Sequence, residues 1–376
     1  MRLALLGAFA FPAPQGSQVF TRDQALALQR AGARVCVVCY GSGEGGVEGL
    51  ELIRIGGALS PRGFRSGPRL AKPLADLALA RRLLRVQRER ALDAVLAHNA
   101  EAALVALAAR ALGGAPVVYV AHTLCEEELS AYAPARLRRE VDGIGRALDV
   151  AIARRVDATI ALGELAAARL GPDARGPLDV IPPGIAVQPA PGRSEIEQAC
   201  AHHGLTRDGF ALYAGNLDAY QEPEALSRVA AQIAPRPLVA VTHAPPKREL
   251  APLRVLQLSP REWRPLLFGA GVTLATRARR GGFPIKLLNY MEAGRAIVAR
   301  AGQVDGLVHD ESAWLVERRA APEVFARATD ALLRDPARRQ ALGRAARAQA
   351  RRAHAWPELA QRTLRLLERV REESRR

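Results

Sequence analysis

Short apolar runs alternate with longer amphipathic segments along almost the whole chain, and this alternation is the strongest constraint on its fold. Residues 3–8 and 35–39 have the length and composition of buried strands, and residues 17–30 between them have a helical pattern. Strands that run in the same direction need a long crossover connection, which is usually a helix. The alternation therefore predicts parallel sheets built from βαβ units.

The same pattern predicts an element order for both halves of the chain. In the first half, further strands are predicted at residues 52–55, 94–97, 117–121, 158–161 and 180–181, and helices at 74–90, 100–112, 137–154 and 165–170. In the second half, strands are predicted at 211–214, 238–242, 255–258, 272–275, 297–299 and 313–316, and helices at 223–233, 261–268 and 285–293, with more helices after them. A chain of 376 residues is too long for one ordinary core and fits two domains of roughly 150–200 residues each.

Residues 182–192 interrupt the alternation and mark the predicted domain boundary. They include four prolines and two glycines, so neither a helix nor a central strand can pass through them. We therefore predict an N-terminal domain at residues 1–183, a linker at 184–194 and a C-terminal domain at 195–355. A last amphipathic helix at 356–376 is predicted to cross back toward the first domain.

The charge and cysteine content narrow the class of protein. The formal net charge of +16 suits nucleic acid, an anionic membrane or a phosphorylated substrate, but aromatic residues make up only 5% and no zinc-finger or RNP pattern occurs. Nucleic acid is therefore disfavoured as a partner. Cys36 and Cys39 lie inside an apolar strand pattern, which indicates buried thiols in a reduced, cytoplasmic protein. No apolar run approaches the ~20 residues that span a bilayer.

Polar residues follow several predicted strands, at the edge where open α/β sheets bind ligands. Gly16 and Ser17 follow the first strand; Gly16 allows a tight turn, and Ser17 is suited to N-cap the next helix. Such a helix start can bind a phosphate, and an ordinary capped turn is the other interpretation. His98 and Asn99 end one strand and His122 ends the next. Each of these polar residues can be structural or can face a ligand.

A glycine turn leads into a helix within residues 277–299. Arg277, Arg279 and Arg280 precede the pair Gly281-Gly282, and Pro284 stands near the predicted helix start. Main-chain amides at a helix N-terminus together with basic side chains form a credible diphosphate pocket. Lys286 and Asn289 are three residues apart and so lie on one face of that helix.

These motifs resemble the GT-B glycosyltransferases of family 4, a retaining group that includes bacterial mannosyl- and glucosyltransferases. The resemblance covers nearly the whole chain, through the Gly16-Ser17 loop, His122, and residues 180–184, 213–216 and 282–299. Residues 282–299 are the most specific match, to the pattern G-x-P-x-K-x-x-E-Y-M-A-x-G-x-P-V-V-A. The implied fold is the GT-B architecture: two Rossmann-like α/β domains with parallel sheets, facing a central cleft that holds a nucleotide-sugar.

The resemblance implies a role for each candidate residue. His122 and Lys286 are the candidate catalytic residues: His122 would contact the transferred sugar, and Lys286 would supply charge near the diphosphate. The candidate donor-binding residues are Gly16, Ser17, Asn216, Arg277, Arg280, Gly281, Gly282, Phe283, Pro284, Ile285 and Asn289. The candidate acceptor-side residues are His98, Asn99, Glu126 and Glu127. No metal or other cofactor is expected, because basic groups and helix termini would neutralise the leaving diphosphate.

The chain departs from the family pattern at four positions. The family often has two glutamates eight positions apart, where this chain has Gly281 and Asn289. The family also often has Arg and Lys after the first strand of the second domain, where this chain has Asn216 and Gln221. Arg277, Arg279, Arg280 or Lys286 would then have to supply the positive charge.

The predicted helix at residues 74–90 has apolar and basic positions at helical spacing. Leu74, Leu77 and Leu84 recur with Arg81, Arg85 and Arg88. A basic amphipathic helix can lie on an anionic membrane, here the inner face of the cytoplasmic membrane, and an ordinary surface helix of an arginine-rich protein is the other interpretation.

The sequence leaves three possible functions for the protein. The first is a retaining hexosyltransferase that moves a sugar from a nucleoside-diphosphate donor to a hydroxyl of a lipid-linked or saccharide acceptor. The second is a GT-B enzyme of other activated-sugar chemistry, such as an epimerase, which would need acid/base groups among His98 and residues 126–128. The third is a non-catalytic sugar- or membrane-binding scaffold.

Overall fold

The computed structural model describes residues 1–376 except 14, 44, 58–59, 61–71, 219–220, 244, 247, 278–281, 304 and 375–376. The chain forms two compact units. The first unit comprises Met1–Gly184, Gly281–Phe283 and Trp356–Arg376, and the second comprises Ile185–Arg280 and Pro284–Ala355. The first unit is therefore assembled from three separate pieces of sequence.

The first unit is a seven-stranded parallel sheet, with helices between most successive strands but none in the described residues between the second and the third. Its strands are β1 (Arg2–Ala10), β2 (Arg34–Tyr40), β3 (Glu51–Arg54), β4 (Ala94–His98), β5 (Val117–Ala121), β6 (Ala158–Ala161) and β7 (Leu178–Val180). Its helices are α1 (Gly16–Arg30), α2 (Lys72–Arg90), α3 (Ala100–Ala111), α4 (Cys125–Tyr132), α5 (Arg138–Ala153), α6 (Glu164–Leu170) and the last helix, α13 (Trp356–Glu373).

The strand order in this sheet is β3-β2-β1-β4-β5-β6-β7, and every described pairing is parallel. The order of addition reverses between β1 and β4, because β2 and β3 add on one side of β1 and the later strands add on the other. Helices α2 and α3 bury one face of the sheet, where Leu6, Val38 and Tyr119 pack with Leu79. Open α/β sheets bind ligands at the carboxyl edge of such a reversal. In the first unit, that edge is the end of β1 and β4.

The C-terminal helix α13 completes the first unit. The ring of Trp356 stacks on Phe20 of α1, with 5.7 Å between ring centroids and 21° between planes. Further along α13, Arg362 donates a hydrogen bond of 2.6 Å to the carbonyl of Val180. A Cβ on Gly184 would lie 2.4 Å from the Trp356 ring, so only glycine fits there. The end of β7 and the last helix are thus packed as one element.

The second unit is a six-stranded parallel sheet. Its strands are β8 (Ala211–Ala214), β9 (Leu238–Thr242), β10 (Arg254–Gln257), β11 (Val272–Ala275), β12 (Ala296–Arg300) and β13 (Trp314–Val316), in the order β10-β9-β8-β11-β12-β13. Its helices are α7 (Arg193–His202), α8 (Pro223–Ile233), α9 (Pro260–Gly269), α10 (Ile285–Glu292), α11 (Pro322–Arg334) and α12 (Pro336–Ala353). The order reverses between β8 and β11.

Arg300, at the end of β12, ties several segments of the second unit together. Its side chain is 5% exposed and pairs with Glu222 at 2.9 Å. It also donates to three main-chain carbonyls, those of Thr276, Arg318 and Ala320. A buried guanidinium with a carboxylate and three carbonyl partners fixes the end of β11 relative to the segments that follow β13.

Two helices differ from the sequence-based expectation. Residues 126–128, expected in a loop or at an acceptor, lie in the first turns of α4. Helix α7 was not predicted at all; its first turn is closed by Glu195, whose carboxylate accepts a hydrogen bond of 3.3 Å from the Gly192 amide. Among the described helices, none is long and apolar enough to cross a membrane.

Candidate active site

In the first unit, the candidate residues follow three adjacent strands at the reversal of strand order. Gly16 and Ser17 come after β1, His98 ends β4, and His122 follows β5. Strand β1 pairs with β4, and β4 pairs with β5, so these positions share the carboxyl edge of the sheet. The register brings together residues that are up to about a hundred positions apart in sequence.

Gly16 and Ser17 are the first two residues of helix α1. The N-cap is Gln15 rather than Ser17, which corrects the expected capping role: Ser17 already has helical geometry and its side chain does not close the helix start. The main-chain amides of the first turn have no partners within an α-helix, and they sit at the positive end of its dipole. Both residues are thus placed where an anion can be bound.

His98 and His122 form a buried pair. Nδ1 of His98 lies 2.8 Å from Nε2 of His122 and 3.0 Å from the hydroxyl oxygen of Thr21. The Thr21 hydroxyl also donates a hydrogen bond of 2.8 Å to the carbonyl of Ser17, one turn earlier in α1. His98, expected on the acceptor side, is 0% exposed and His122 is 7% exposed. The two imidazoles are therefore linked through Thr21 to the start of α1.

The surroundings of the histidine pair keep it neutral. Phe20 makes edge contacts with both imidazoles, at 5.8 Å from His98 and 5.0 Å from His122. Burial lowers the pKa of His122 to about 3, and it lowers the pKa of His98 well below its usual value, with a further contribution from His122. At neutral pH both rings are hydrogen-bonding groups without charge.

The glycine at position 282 belongs to the first unit and lies beside the histidine strand. A Cβ on Gly282 would be 2.5 Å from Oγ1 of Thr123 and 2.7 Å from the carbonyl of His122, and its φ is +73°. Only glycine tolerates both the contact and the left-handed backbone. Phe283 is partly buried in the same unit.

Asn99, Glu126 and Glu127 have local partners or buried positions. Asn99 has a φ of +79° at the start of α3, and its side-chain oxygen is buried. Glu126 lies 4.0 Å from both Arg146 and Arg169. Glu127 is partly buried in α4. Helix α4 itself is capped from α5, because the buried carboxylate of Asp149 accepts the amides of residues 125 and 126 at 3.0 and 3.1 Å.

In the second unit, Lys286 of α10 is the central side chain at the reversal between β8 and β11. Its Nζ donates hydrogen bonds of 2.5 Å to the Tyr213 hydroxyl and 2.9 Å to the side-chain oxygen of Gln221. It also lies 3.9 Å from the centroid of the Tyr213 ring. Both hydrogen-bond acceptors are neutral. The amine thus has oxygen partners without a neutralising carboxylate bonded to it.

The electrostatics at Lys286 favour the uncharged amine. Burial lowers its pKa well below 10.5, and the nearby charge of Arg277 lowers it further. A Cβ on Gly215, directly after β8, would lie 3.1 Å from Nζ. The lack of a side chain at Gly215 therefore avoids a close contact with the amine, and an anion bound to that amine would favour its protonated form.

The other donor-binding candidates of the second unit differ in their partners and in their exposure. Asn216 donates to Asp218 at 3.1 Å, and its carbonyl accepts from the Tyr213 hydroxyl. Pro284 is the N-cap of α10 and Ile285 its first residue, whereas Asn289 is exposed on the same helix. Arg280 and Gly281, like Arg279, lie outside the described residues.

Several residues that contribute to the two sites were not recognised from the sequence. Thr21 lies one helical turn after Ser17, and that spacing could have placed it on the same face of α1. Tyr213 is a hydroxyl-bearing residue inside an otherwise apolar strand, which is a usable signal. Its partner Lys286 is 73 positions away, so the pair itself required the fold. Asp149 could not be recognised, because its partners lie on another helix.

Cysteine and metal chemistry find no support in the described residues. Cys36 and Cys39 are buried, and burial raises their pKa to about 11 and about 12. Thiols of this kind are structural. Among the described residues, no group of three or more His, Cys, Asp or Glu side chains is arranged to hold a metal ion.

Comparison with known sequences relates the first part of the chain to one enzyme family. The family model Glycosyltransferase Family 4 matches residues 14–188, a segment that lies almost entirely in the first unit. No curated protein matches the chain significantly in sequence.

Solved structures match almost the whole chain at low sequence identity. Sucrose-phosphate synthase from Thermosynechococcus elongatus has a TM-score of 0.83, with 18% identity over 98% of both chains. Anabaena Alr3699/HepE in complex with UDP-glucose has a TM-score of 0.75, with 15% identity over 98% of this chain and 99% of that one. A Listeria monocytogenes protein assigned as a UDP-N-acetylglucosamine 2-epimerase has a TM-score of 0.60, with 12% identity over 99% of this chain and 97% of that one. The expected GT-B fold, with two Rossmann-like parallel-sheet domains, is confirmed.

Proposed function

We propose that the protein is a glycosyltransferase that moves a hexose from a nucleoside-diphosphate sugar to a hydroxyl of a saccharide or lipid-linked acceptor. The match of residues 14–188 to a glycosyltransferase family model supports this proposal, as does a GT-B fold related to a structure that binds UDP-glucose. In this proposal the second unit binds the nucleotide-sugar, and the first unit provides the acceptor side and the sugar-contacting His122.

The observation that carries the proposal is the amine of Lys286. A leaving diphosphate must be stabilised by positive charge or by oriented hydrogen-bond donors. Lys286 lies at the ligand-binding edge of the second sheet and is held by the neutral oxygens of Tyr213 and Gln221, next to Gly215. It can therefore supply the charge that Asn216 and Gln221 lack. In this proposal the amine stabilises the leaving diphosphate without a metal ion.

Retention of anomeric configuration is part of the proposal. The buried polar pair at the edge of the first sheet consists of two neutral imidazoles, and neither can act as a carboxylate nucleophile. Attack on the face of the sugar that carries the leaving diphosphate fits this set of groups. The anomeric configuration of the product, read by proton NMR, tests it; an inverted product would contradict it.

Isothermal titration with UDP, GDP and ADP tests donor binding. We expect at least one of them to bind, and we expect Lys286→Met to weaken that binding by about tenfold or more, because a charge-assisted contact is lost. Lys72→Met is the matched control, since that lysine pairs with Glu101 in the first unit. If none of the three nucleotides binds, the proposal fails and a non-catalytic scaffold takes its place.

Hydrolysis or transfer of a nucleotide-sugar then separates transfer from epimerisation. We expect His122→Ala to reduce donor turnover while nucleoside-diphosphate binding is kept. An epimerase would need acid/base groups, but Glu126 faces two arginines and the pKa of His98 is strongly lowered by burial. Conversion of the sugar without any acceptor, and without release of the nucleotide, would favour the epimerase instead.

We also propose that helix α2 can contact an anionic membrane surface. Leu74 and Leu77 are 66% and 49% exposed, and the exposed arginines 81, 85 and 88 continue the same stripe. The opposite face, with Leu79 and Leu83, is buried in the core. Co-sedimentation with vesicles containing anionic lipid is expected, and Leu74→Ser/Leu77→Ser should reduce it. Absence of binding at low salt would remove this proposal.

A further inference from the structure

We propose that His98 is a positioning residue that fixes the protonation of His122: its single Nδ1 hydrogen is shared between the Thr21 oxygen and Nε2 of His122, so that His122 carries its own proton on Nδ1. The consequence for the reaction rests on the function proposed above. The arrangement of protons is a property of the protein alone and can be tested separately.

The hydrogen bonds of Thr21 supply the first step. The hydroxyl has one proton, and it is donated to the Ser17 carbonyl at 2.8 Å. The Thr21 oxygen can then only accept at its other short contact, which is 3.0 Å from Nδ1 of His98. Nδ1 of His98 must therefore carry a hydrogen.

The other nitrogen of His98 supplies the second step. Nε2 of His98 is buried and has no hydrogen-bond partner among the described residues. A buried N–H group without a partner is rarer and more costly than an unused acceptor. The tautomer with its proton on Nδ1 leaves only a lone pair unused at Nε2, so both observations select the same tautomer.

The tautomer of His98 then determines the tautomer of His122. Nδ1 of His98 lies 2.8 Å from Nε2 of His122, and a hydrogen on both nitrogens would place two donors against each other. Because His98 holds the one hydrogen, Nε2 of His122 must be an acceptor, and it shares that hydrogen with the Thr21 oxygen in a three-centre bond. A neutral His122 then has its hydrogen on Nδ1.

This arrangement decides what His122 can do. Its Nε2 is occupied by His98, and its Nδ1–H is a donor, so the ring can donate a hydrogen bond to a sugar oxygen but has no free lone pair to act as a base. That role suits a residue that orients the sugar. It also explains why His98 is fully buried behind His122 rather than available to an acceptor.

Nitrogen-15 NMR of histidine-labelled protein tests the assignment directly. Protonated and unprotonated ring nitrogens have well-separated shifts, and couplings to the ring protons identify which nitrogen is which. The His122 signals are assigned by their loss in His122→Gln. We expect a single neutral His122 tautomer with its proton on Nδ1. A proton on Nε2 of His122 would overturn the proposal.

Two substitutions at His98 test whether it imposes the tautomer. Asn keeps an N–H donor near the position of Nδ1, so His98→Asn should keep the His122 tautomer. His98→Leu removes the donor and should shift His122 to a mixture of both forms. Unchanged His122 signals in a folded His98→Leu protein would contradict the proposal. If that variant does not fold, the wild-type and His98→Asn spectra still decide the question.

Kinetics add a readout that a purely structural role would not change. For nucleotide-sugar hydrolysis we expect kcat to fall by about tenfold in His98→Leu, with KM unchanged, and to recover to within about twofold in His98→Asn. Equal losses in both variants would overturn the positioning role. If the wild-type protein turns over no nucleotide-sugar, the proposed function fails, whereas the NMR result still tests the His98–His122 arrangement.

Discussion

Replacing Lys286 by methionine is expected to change how the stability of the second unit depends on pH. Methionine has a similar length and no branch, so it can occupy the same space beside Tyr213. It cannot bind a proton. The pKa of the Lys286 amine in the folded protein is held well below 10.5, first by burial and then by the charge of Arg277.

The sign and size of the effect follow from proton linkage. An amine with a lowered pKa binds fewer protons in the folded than in the unfolded chain at every pH between the two pKa values. Above about pH 10.5 the amine is neutral in the folded and the unfolded chain, so its protonation does not affect the free energy of unfolding. As pH falls toward the folded pKa, the unfolded chain binds the proton more readily, and the folded protein loses stability. Within that window one group changes the free energy of unfolding by up to ~1.4 kcal/mol per pH unit. The stability of the wild type should therefore rise relative to that of Lys286→Met as pH increases through that window.

Urea unfolding measures this difference if the signal comes from the second unit alone. Trp263 and Trp314 lie in that unit and Trp356 lies in the first, so a Trp356→Phe background isolates the fluorescence of interest. Lys72→Met in the same background is the control, because Lys72 lies in the first unit. All other titrating groups cancel in the comparison.

Parallel stability curves for wild type and Lys286→Met would refute the reasoning. They would mean that the amine has the same pKa in the folded and unfolded chain, and hence that water or an unrecognised carboxylate solvates it. A difference that shrinks as pH rises would also refute it, because the sign would then require a raised pKa.

Three further measurements test other parts of the structure. Arg300→Met removes three hydrogen bonds to main-chain carbonyls and leaves Glu222 without its buried partner. We therefore expect urea unfolding to show a loss of about 3–5 kcal/mol in the free energy of unfolding. Arg193→Ala on the surface of α7 is the control and should cause no measurable change. Asp149→Ala removes the acceptor for two amides at the start of α4, so hydrogen exchange should quicken there, with a cost of about 1–2 kcal/mol; unchanged protection of α4 would contradict this. At a pH below the ordinary pKa of lysine, binding of a nucleoside diphosphate should be accompanied by proton uptake at Lys286. The measured heat of binding should then depend on the ionisation enthalpy of the buffer. This dependence should be lost in Lys286→Met.

The order of strands and helices could be read from the sequence because local pattern determined it. Residues 117–121 were predicted as a strand and are β5 (Val117–Ala121), and residues 223–233 were predicted as a helix and are α8 (Pro223–Ile233). Parallel strands buried on both faces give continuous apolar runs, and the helices between them have a clear amphipathic period.

Elements that depend on distant partners could not be read in this way. The acidic start of α4 resembles a solvated loop until the carboxylate of Asp149, more than twenty residues later, accepts its amides. The buried face of α2 also depends on distant partners. The spacing predicted an amphipathic helix with a basic face, and the structure shows that Leu74 and Leu77 are exposed while Ala75 and Leu79 are buried.

The candidate site was predicted as positions and not as interactions. Strand ends identified His98, His122 and the loop at Gly16, because ligands collect at that edge of a sheet. The contacts of His98 with His122 and Thr21, and the hydrogen bond from Lys286 to Gln221, join elements that are far apart in the chain. The position of a candidate residue follows from the predicted topology, whereas its hydrogen-bond partners can be identified only from the three-dimensional structure.

The packing of α13 against β7 and α1 has a consequence for synthesis on the ribosome. The first unit contains segments that precede and follow the second unit in sequence, so helix α13 leaves the exit tunnel only after the second unit has been made. Until then Phe20 lacks the Trp356 ring, and the carbonyl of Val180 lacks its Arg362 donor. The part of the protein that is translated first therefore finishes folding last, and any nascent chain released before Trp356 exposes an apolar patch on α1 to chaperones and proteases.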